Sequence, residues 1–529
     1  MANNRAAYSS QGYAGSNPAT DGALQIIMQE GKIMLEYMNE EMNMALTENG
    51  AATYSSTGSD CLDLFATIGA LRGNSDEEVV ARFIRAYTED ADIAMKILFF
   101  ARDIRGGLGE RRVFRTIFYW IAKNQPGSVK KNIEFVAEYG RYDDLLILLG
   151  TPCEKEMLAY IRKQFETDVD SMKEGKNVSL LAKWLPSVNA SSHHTVRQAR
   201  KIVGALGLTD AEYRKKLTAM RAKIRIIENN LRERDYTFDY AKQPSRAMFK
   251  YRKAFLRNDT ERYKEFITKA IQGEVVLHAD NVAPYELVEP YLDSFISRWG
   301  KPFMKDISPE EKQILNATWE AIPDFGGDEN AIAVIDTSGS MYWSAKPLPA
   351  AVALSLGLYF AQHNKGYFKD HFIGFSARPR LIRVKGETFA ERLRYVSTFN
   401  EVANTNLEAV FDTILTAAIK NHVTQEELPA KLIIISDMEF DACVSNASAV
   451  NLKNAQKKYD SAGYKLPEIV FWNVASRNKQ QPVTQNEQGV ALISGVTPRI
   501  FEMVAGGQLS PYSFMIEILE GERYARIVA

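Results

Sequence analysis

Five short apolar runs punctuate the last third of the chain: AIAVID (331–336), HFIGFS (371–376), KLIIISD (431–437), EIVFWNV (468–474) and GVALISG (489–495). They lack the polar alternation of a half-exposed strand. Unbroken apolar strands belong to parallel sheets covered by helices on both faces. Between them lie PAAVALSLGLYFAQHN, NLEAVFDTILTAAIKNH and AVNLKNAQKKYDSAG, which read as helices. Strand and helix in alternation predict a doubly wound α/β unit with a mostly parallel sheet over 331–529.

The preceding residues read differently. Residues 1–21, rich in Asn, Ala, Ser and Gly, read as a flexible tail. From 22 to 322 the period is helical. Leu24, Ile27, Met28, Met34 and Leu35 fall near one face of the first helix. Thr209 and Glu212 have capping-box spacing. Ser308, Pro309 and Glu311 stand where an N-cap, an N1 proline and an N3 glutamate belong. Helix pairs of roughly 20 to 40 residues follow one another without a strict sequence repeat, which predicts an all-α, HEAT-like helical-repeat region. PDFGGDEN (323–330) reads as the linker between the two parts.

Composition bounds the setting. A chain of 529 residues has room for two to four domains at about 100–200 residues each. With 46% hydrophobic and 25% charged residues and a net charge of −1, a nucleic-acid site has to be a local basic patch. The three cysteines, Cys61, Cys153 and Cys443, are scattered and form no CxxC. They read as reduced thiols of a cytoplasmic protein without a zinc site. The N-terminus lacks the apolar run of a signal peptide, and no window is apolar enough to span a membrane.

The first apolar run ends in Asp336-Thr337-Ser338-Gly339-Ser340, a D-x-S-x-S motif at the carboxyl end of a predicted strand. Open parallel sheets bind ligands at that edge, where strand order reverses. A carboxylate and two hydroxyls are hard oxygen donors, suited to Mg²⁺ and also to Mn²⁺. Thr405, ahead of a predicted helix, and Asp437, ending KLIIISD, fall where two further loops reach the same edge. Glu439 and Asp441 follow closely, as candidate bases or as acceptors that orient the ligands.

A second feature lies between His193 and Arg225. Arg197, Arg200, Lys201, Arg214, Lys215, Lys216, Arg221, Lys223 and Arg225 stand against only Asp210 and Glu212. Such excess attracts phosphate backbones. Arg197 and Lys201 share a helix face, as do Arg214, Arg221 and Arg225. His193 and His194 offer hydrogen bonds to a base or a 2′-hydroxyl. The glycines of Arg105-Gly106-Gly107 and Gly109-Glu110-Arg111 read as helix-ending turns. GGLG lacks the Lys-Ser/Thr pair of a P-loop. Trp184, beside Leu185-Pro186, reads as a core residue at a helix break.

Asp336, Ser338, Ser340, Thr405 and Asp437 match, residue by residue, the metal-ion-dependent adhesion site of the von Willebrand factor A family, which the C-terminal part resembles. That resemblance implies one divalent ion with a coordination position open to a partner's carboxylate. ARDIRGGLGERRVF (101–114), YGRYDDLL (139–146), AKWLPS (182–187), EYRKKL (212–217) and YAKQPSRAMFKYRKAF (240–255) are similar to sequences of the Ro autoantigen family, whose helical part is the TROVE module. SDMEFD (436–441), TNLEAVFD (405–412) and VFWNVASRNKQQPV (470–483) resemble a Ro-like family known as a domain of unknown function. This resemblance implies helical repeats closed into a ring by the A domain, with RNA ends in the hole and small structured RNAs outside. It points to Lys183, His193, His194 and Arg197 as RNA contacts.

Three functions compete: a Ro-like RNA-binding protein, a structural scaffold of a phage or microbial assembly that grips an acidic partner through the metal, and a metal-dependent hydrolase. No Ser-His-Asp order, HExxH or dinucleotide glycine motif in context supports catalysis. The expectation is a non-enzymatic protein.

Overall fold

The computed structural model describes residues 42–529 except 225, 297–301, 327–329, 343–345, 366, 376–377, 400–405, 441–450 and 506–508. The expected tail and first helix over 1–41 lie outside the described residues, as do Thr405, Arg225, Asp441 and Cys443. Residues 46–529 form one compact unit, and all that follows concerns it.

The chain of 46–529 is mostly helical up to residue 320 and then builds a mixed six-stranded sheet. Its first helices are α1 (Asp60–Thr67), α2 (Asp76–Glu89), α3 (Ala91–Arg102) and α4 (Arg112–Asn124). Serine or aspartate side chains start three of them, with Ser59, Ser75 and Asp90 each accepting a backbone N–H. Their apolar stripes, Phe83, Phe99, Phe100, Phe114 and Phe118 among them, meet in one core. After α4 come α5 (Pro126–Asn132), α6 (Val136–Tyr139), α7 (Glu154–Lys173), α8 (Leu181–Trp184), α9 (His193–Leu206) and α10 (Asp210–Ile224). The Thr209–Glu212 capping box forms, each partner accepting the other's backbone N–H.

Next are α11 (Ile227–Glu233), α12 (Ser245–Asn258), α13 (Thr260–Ile271) and α14 (Pro284–Val288). A two-stranded antiparallel ribbon over Leu292–Ile296 and Pro302–Met304 interrupts the helices. The expectation of helix throughout to 322 is corrected there. Helix α15 (Pro309–Glu320) then opens on Ser308, which accepts from Glu311 as its spacing predicts.

The sheet strands are β1 (Ala331–Asp336), β2 (His371–Phe375), β3 (Arg380–Arg383), β4 (Lys431–Ser436), β5 (Glu468–Asn473) and β6 (Val490–Ser494). Their order is β6-β5-β4-β1-β2-β3, parallel except for β3, which runs antiparallel to β2. All five predicted strands form; β3 is an additional edge strand.

Both faces of the sheet are covered, which is why its strands are apolar on both sides. Ala333 and Ile335 join the core shared with α16 (Pro349–His363), while Ile332 and Val334 pack with Leu407, Val410 and Phe411 of α17 (Leu407–Asn421). Gly357 lets α16 lie close: a Cβ there would stand 1.9 Å from Ile335 Cδ1. Strand order reverses at β1, between β4 and β2, so the carboxyl ends of β1 and β4 form the crevice where such sheets bind ligands.

Candidate metal site and basic cavity

Parallel pairing of Ile335 with Ile435 brings the ends of β1 and β4 side by side. Asp336 emerges there fully buried. Its Oδ1 accepts the Ser338 N–H at 2.8 Å and its Oδ2 accepts the Ser436 hydroxyl at 2.6 Å. A short helical turn over Gly339–Tyr342 carries Ser340 back, so that the Ser338 and Ser340 hydroxyls stand 2.9 Å apart. Ser340 also hydrogen-bonds Asp437, which is 3% exposed. Thus Asp336, Ser338, Ser340 and Asp437 converge at the switch point, and Thr405 lies outside the described residues.

Two buried carboxylates so close disfavour each other's charge. Burial first, and then the charge on Asp437, push the Asp336 carboxyl above the usual carboxylate range; burial likewise raises Asp437. The Tyr342 hydroxyl is buried near Asp336 and has no hydrogen-bond partner among the described residues. Buried like charges, adjacent hydroxyl donors and an orphaned hydroxyl are a donor set that fits a hard dication. Among the described residues no three His, Cys, Asp or Glu side chains gather as a metal cluster, so the candidate consists of carboxylate and hydroxyl oxygens.

Glu439 is committed elsewhere. Its carboxylate accepts the Glu48 N–H at 2.7 Å, Asn478 Nδ2 at 2.8 Å and Gln480 Nε2 at 2.7 Å. It pins three segments together, which leaves it poorly placed to act as a base.

The second feature is a cavity of about 2180 Å³, walled by helices α8, α11, α12 and α14 and by the loop after α3, and completed by Lys346 and residues 496–499 beyond β6. Among the described residues thirteen Arg and Lys side chains line it against eight carboxylates, a strong excess in a chain of net charge −1. One wall comes from the ARDIRGGLGERR segment. The loop after α3 folds back on its own helix end, with Leu108 N donating to the Phe100 carbonyl and Glu110 N to that of Ala101. Gly107 permits this, since a Cβ there would lie 2.0 Å from the Phe100 oxygen. The glycines are therefore turn residues, as predicted, and the turn aims Arg102, Arg105, Arg111 and Arg112 at the cavity.

Carboxylates hold several arginines of this wall, Arg105 excepted. Asp144 accepts from Arg102 at 2.9 Å and from Arg115 at 2.5 Å, and Asp143 from Arg111 at 2.5 Å. Buried Glu110 pairs with Arg72. Aromatic rings alternate with the cations: Arg141 lies 4.2 Å over Trp184, Arg252 4.1 Å over Phe249 and Arg499 4.9 Å over Phe325. Trp184 is not a core residue, which corrects the expectation. It is half-buried on the cavity wall, because the break at Leu185-Pro186 ends α8 there. Exposed Arg105 and Lys250 have no carboxylate within ion-pair distance among the described residues.

Of the described residues among the RNA contacts expected from sequence, only Lys183 lines this cavity. His193 and His194 are exposed at the start of α9, and Arg197 and Arg214 are exposed on α9 and α10. Lys201 pairs with Glu154 at 2.8 Å, and Arg200 stands 3.9 Å from Asp210. Arg221 is structural: its guanidinium donates to the Ala182 and Leu185 carbonyls and to Ser187 Oγ, tying α10 to the end of α8. Arg225 lies outside the described residues. Sequence reading missed the cavity cations because they come from segments far apart in the chain, which only the packing brings to one space. The signal was arginine recurrence in the 101–112 motif.

Two family models match the chain, both domains of unknown function: DUF2828 over residues 47–159 and 206–324, and DUF7788 over 330–510. A relative, "Uncharacterized protein L728" of Acanthamoeba polyphaga mimivirus, is 28% identical over 522 residues, covering 90% of this chain and 87% of that one. Among solved structures, the Ro (RSR) protein of Deinococcus radiodurans aligns with 87% of this chain and 93% of its own, at 11% identity and a TM-score of 0.30. The chain is therefore similar along its helical part to one domain family and along its sheet part to another.

Proposed function

We propose that this chain is a Ro-like RNA-binding protein in which a HEAT-like, TROVE-type helical region (22–322) and a von Willebrand A-like domain (331–529), joined by a linker at 323–330, enclose a channel for single-stranded RNA. The observation that carries this is the cavity with its excess of cations and its interleaved aromatic rings. A strand without sequence preference is held by this combination, positive charge along the phosphates and ring faces for the bases. The motif resemblance to Ro sequences points the same way. His193, His194, Arg197 and Arg214, exposed and outside the cavity lining, are the candidates for contacts with structured RNA.

In this reading the A-like domain holds Mg²⁺, or Mn²⁺, on Asp336, Ser338, Ser340 and Asp437, with Thr405 by resemblance. The ion supplies a positive centre for a partner's carboxylate. Engagement of Glu439 by three donors supports a binding role over a hydrolytic one. Among the described residues no helix is long and apolar enough to cross a membrane; a cytoplasmic location is part of the proposal.

The test is fluorescence anisotropy with a short single-stranded RNA and a hairpin over a range of salt. Affinity for the single strand should fall with salt. Arg105→Glu with Lys250→Glu should weaken it by at least about tenfold and flatten the log–log slope by about 1.4, two phosphate contacts at about 0.7 each. Arg197→Glu with Arg214→Glu should instead weaken the hairpin. Binding unchanged by both pairs overturns the RNA reading and leaves the protein scaffold.

A further inference from the structure

Asp437 is held from outside the candidate metal site as well as from within it. Arg477 Nη2 donates to Asp437 Oδ2 at 3.0 Å, and Arg477 Nη1 stands 2.9 Å from Glu48 Oε2. The guanidinium thus bridges a nearly inaccessible carboxylate and a half-exposed one. The bridge is built. Residues 474–478 are clamped: Val474 N donates to the Ser436 carbonyl and Ser476 N to that of Ala70. Buried Arg82 of α2 donates to Ser476 Oγ at 3.0 Å and to the Asn478 carbonyl at 2.9 Å. Asn478 in turn donates to Glu48 and Glu439. With both neighbours fixed, Arg477 has little freedom except at its side chain.

A guanidinium and a dication seek the same carboxylate lone pairs and repel each other. We infer that Arg477 is a built-in competitor for the dication: it occupies Asp437 when the metal is absent and swings wholly onto Glu48 when the metal binds. The inference rests on the metal reading of the site. It gives the protein a lower, tunable metal affinity, because each loading event exchanges one ion pair for another. Glu48 makes the exchange possible, as it already contacts the arginine and keeps its charge paired after release.

The experiment is titration of the full chain, stripped of metal, with Mg²⁺ by calorimetry and with Mn²⁺ by the loss of its free electron-resonance signal. Arg477→Met should bind either ion roughly tenfold or more tightly. Arg477→Lys, which keeps the charge but cannot span both carboxylates, should fall between and guards against a misfolded variant. Lys479→Met removes a charge from the same loop without touching Asp437 and should stay within about twofold, which separates competition from net charge. Equal or weaker binding by Arg477→Met, with the wild type still binding, overturns the competitor and assigns Arg477 a merely orienting role. No binding by any form at millimolar ion overturns the metal reading and the inference with it.

Discussion

At the scale of single residues, the site at the β1 and β4 ends is defined by charge that the fold leaves poorly compensated. Asp336 is sealed from water and, among the described residues, has only hydroxyl and N–H donors, while Asp437 shares one arginine with Glu48. On the proposed metal reading, a dication bound there stabilises the folded state. At a hundredfold excess over its dissociation constant the gain is about 2.7 kcal/mol, read as a rise in melting temperature on adding Mg²⁺ that EDTA reverses. Asp336→Asn should abolish that rise and, by removing the like charge beside Asp437, leave the metal-free protein at least as stable as wild type. An undiminished Mg²⁺ effect in this variant would place the ion elsewhere. The D-x-S-x-S motif and Asp437 were legible because the site chemistry sits in a short motif and a strand end. Arg477 was not, because its role depends on which strand end faces its loop.

At the scale of elements, patterning read well where both faces are buried and poorly at edges. All five unbroken apolar runs became strands of the sheet. Strand β3 escaped notice because RLIR pairs on one side only, with Leu381 exposed and Ile382 buried. The helix over Phe389–Ser397 had a readable capping box in Thr388 and Glu391, but its length of nine residues makes a weak periodic signal. Packing of α16 on β1 gives a sharp expectation. Gly357→Ala should cost about 1–3 kcal/mol by overpacking against Ile335, measured by urea unfolding. Ile335→Val, which removes the clashing Cδ1, should recover part of that loss in the double variant. Additive losses would mean that the helix shifts as a body and that Gly357 is not the close contact.

For the whole molecule, the helical and sheet parts of 46–529 are tied by polar links as well as by a shared core. Arg82 is the clearest tie, joining α2 to the loop beyond β5. Arg82→Met removes a buried, hydrogen-bonded cation and leaves Ser476 and the Asn478 carbonyl short of a donor, a loss of about 2–4 kcal/mol. Hydrogen exchange should then quicken in both α2 and 474–479, and quickening in only one would show that the two parts open independently. The cavity is a property of this same assembly. Its walls come from residues as far apart as Arg72 and Arg499, and the proposed Arg105→Glu, Lys250→Glu pair probes it from two of those walls.

Local chemistry let the amino-acid order by itself determine the helical and α/β halves, the caps that begin several helices, and the oxygen donors gathered after β1 and β4. These depend on neighbours within a few residues or on a repeating pattern of burial. Tertiary structure alone decided which cations face a shared space, which are consumed as braces, as Arg221 is, and which arginine stands against Asp437. Charge acts through space between segments hundreds of residues apart, so its partners emerge only once packing has set the distances.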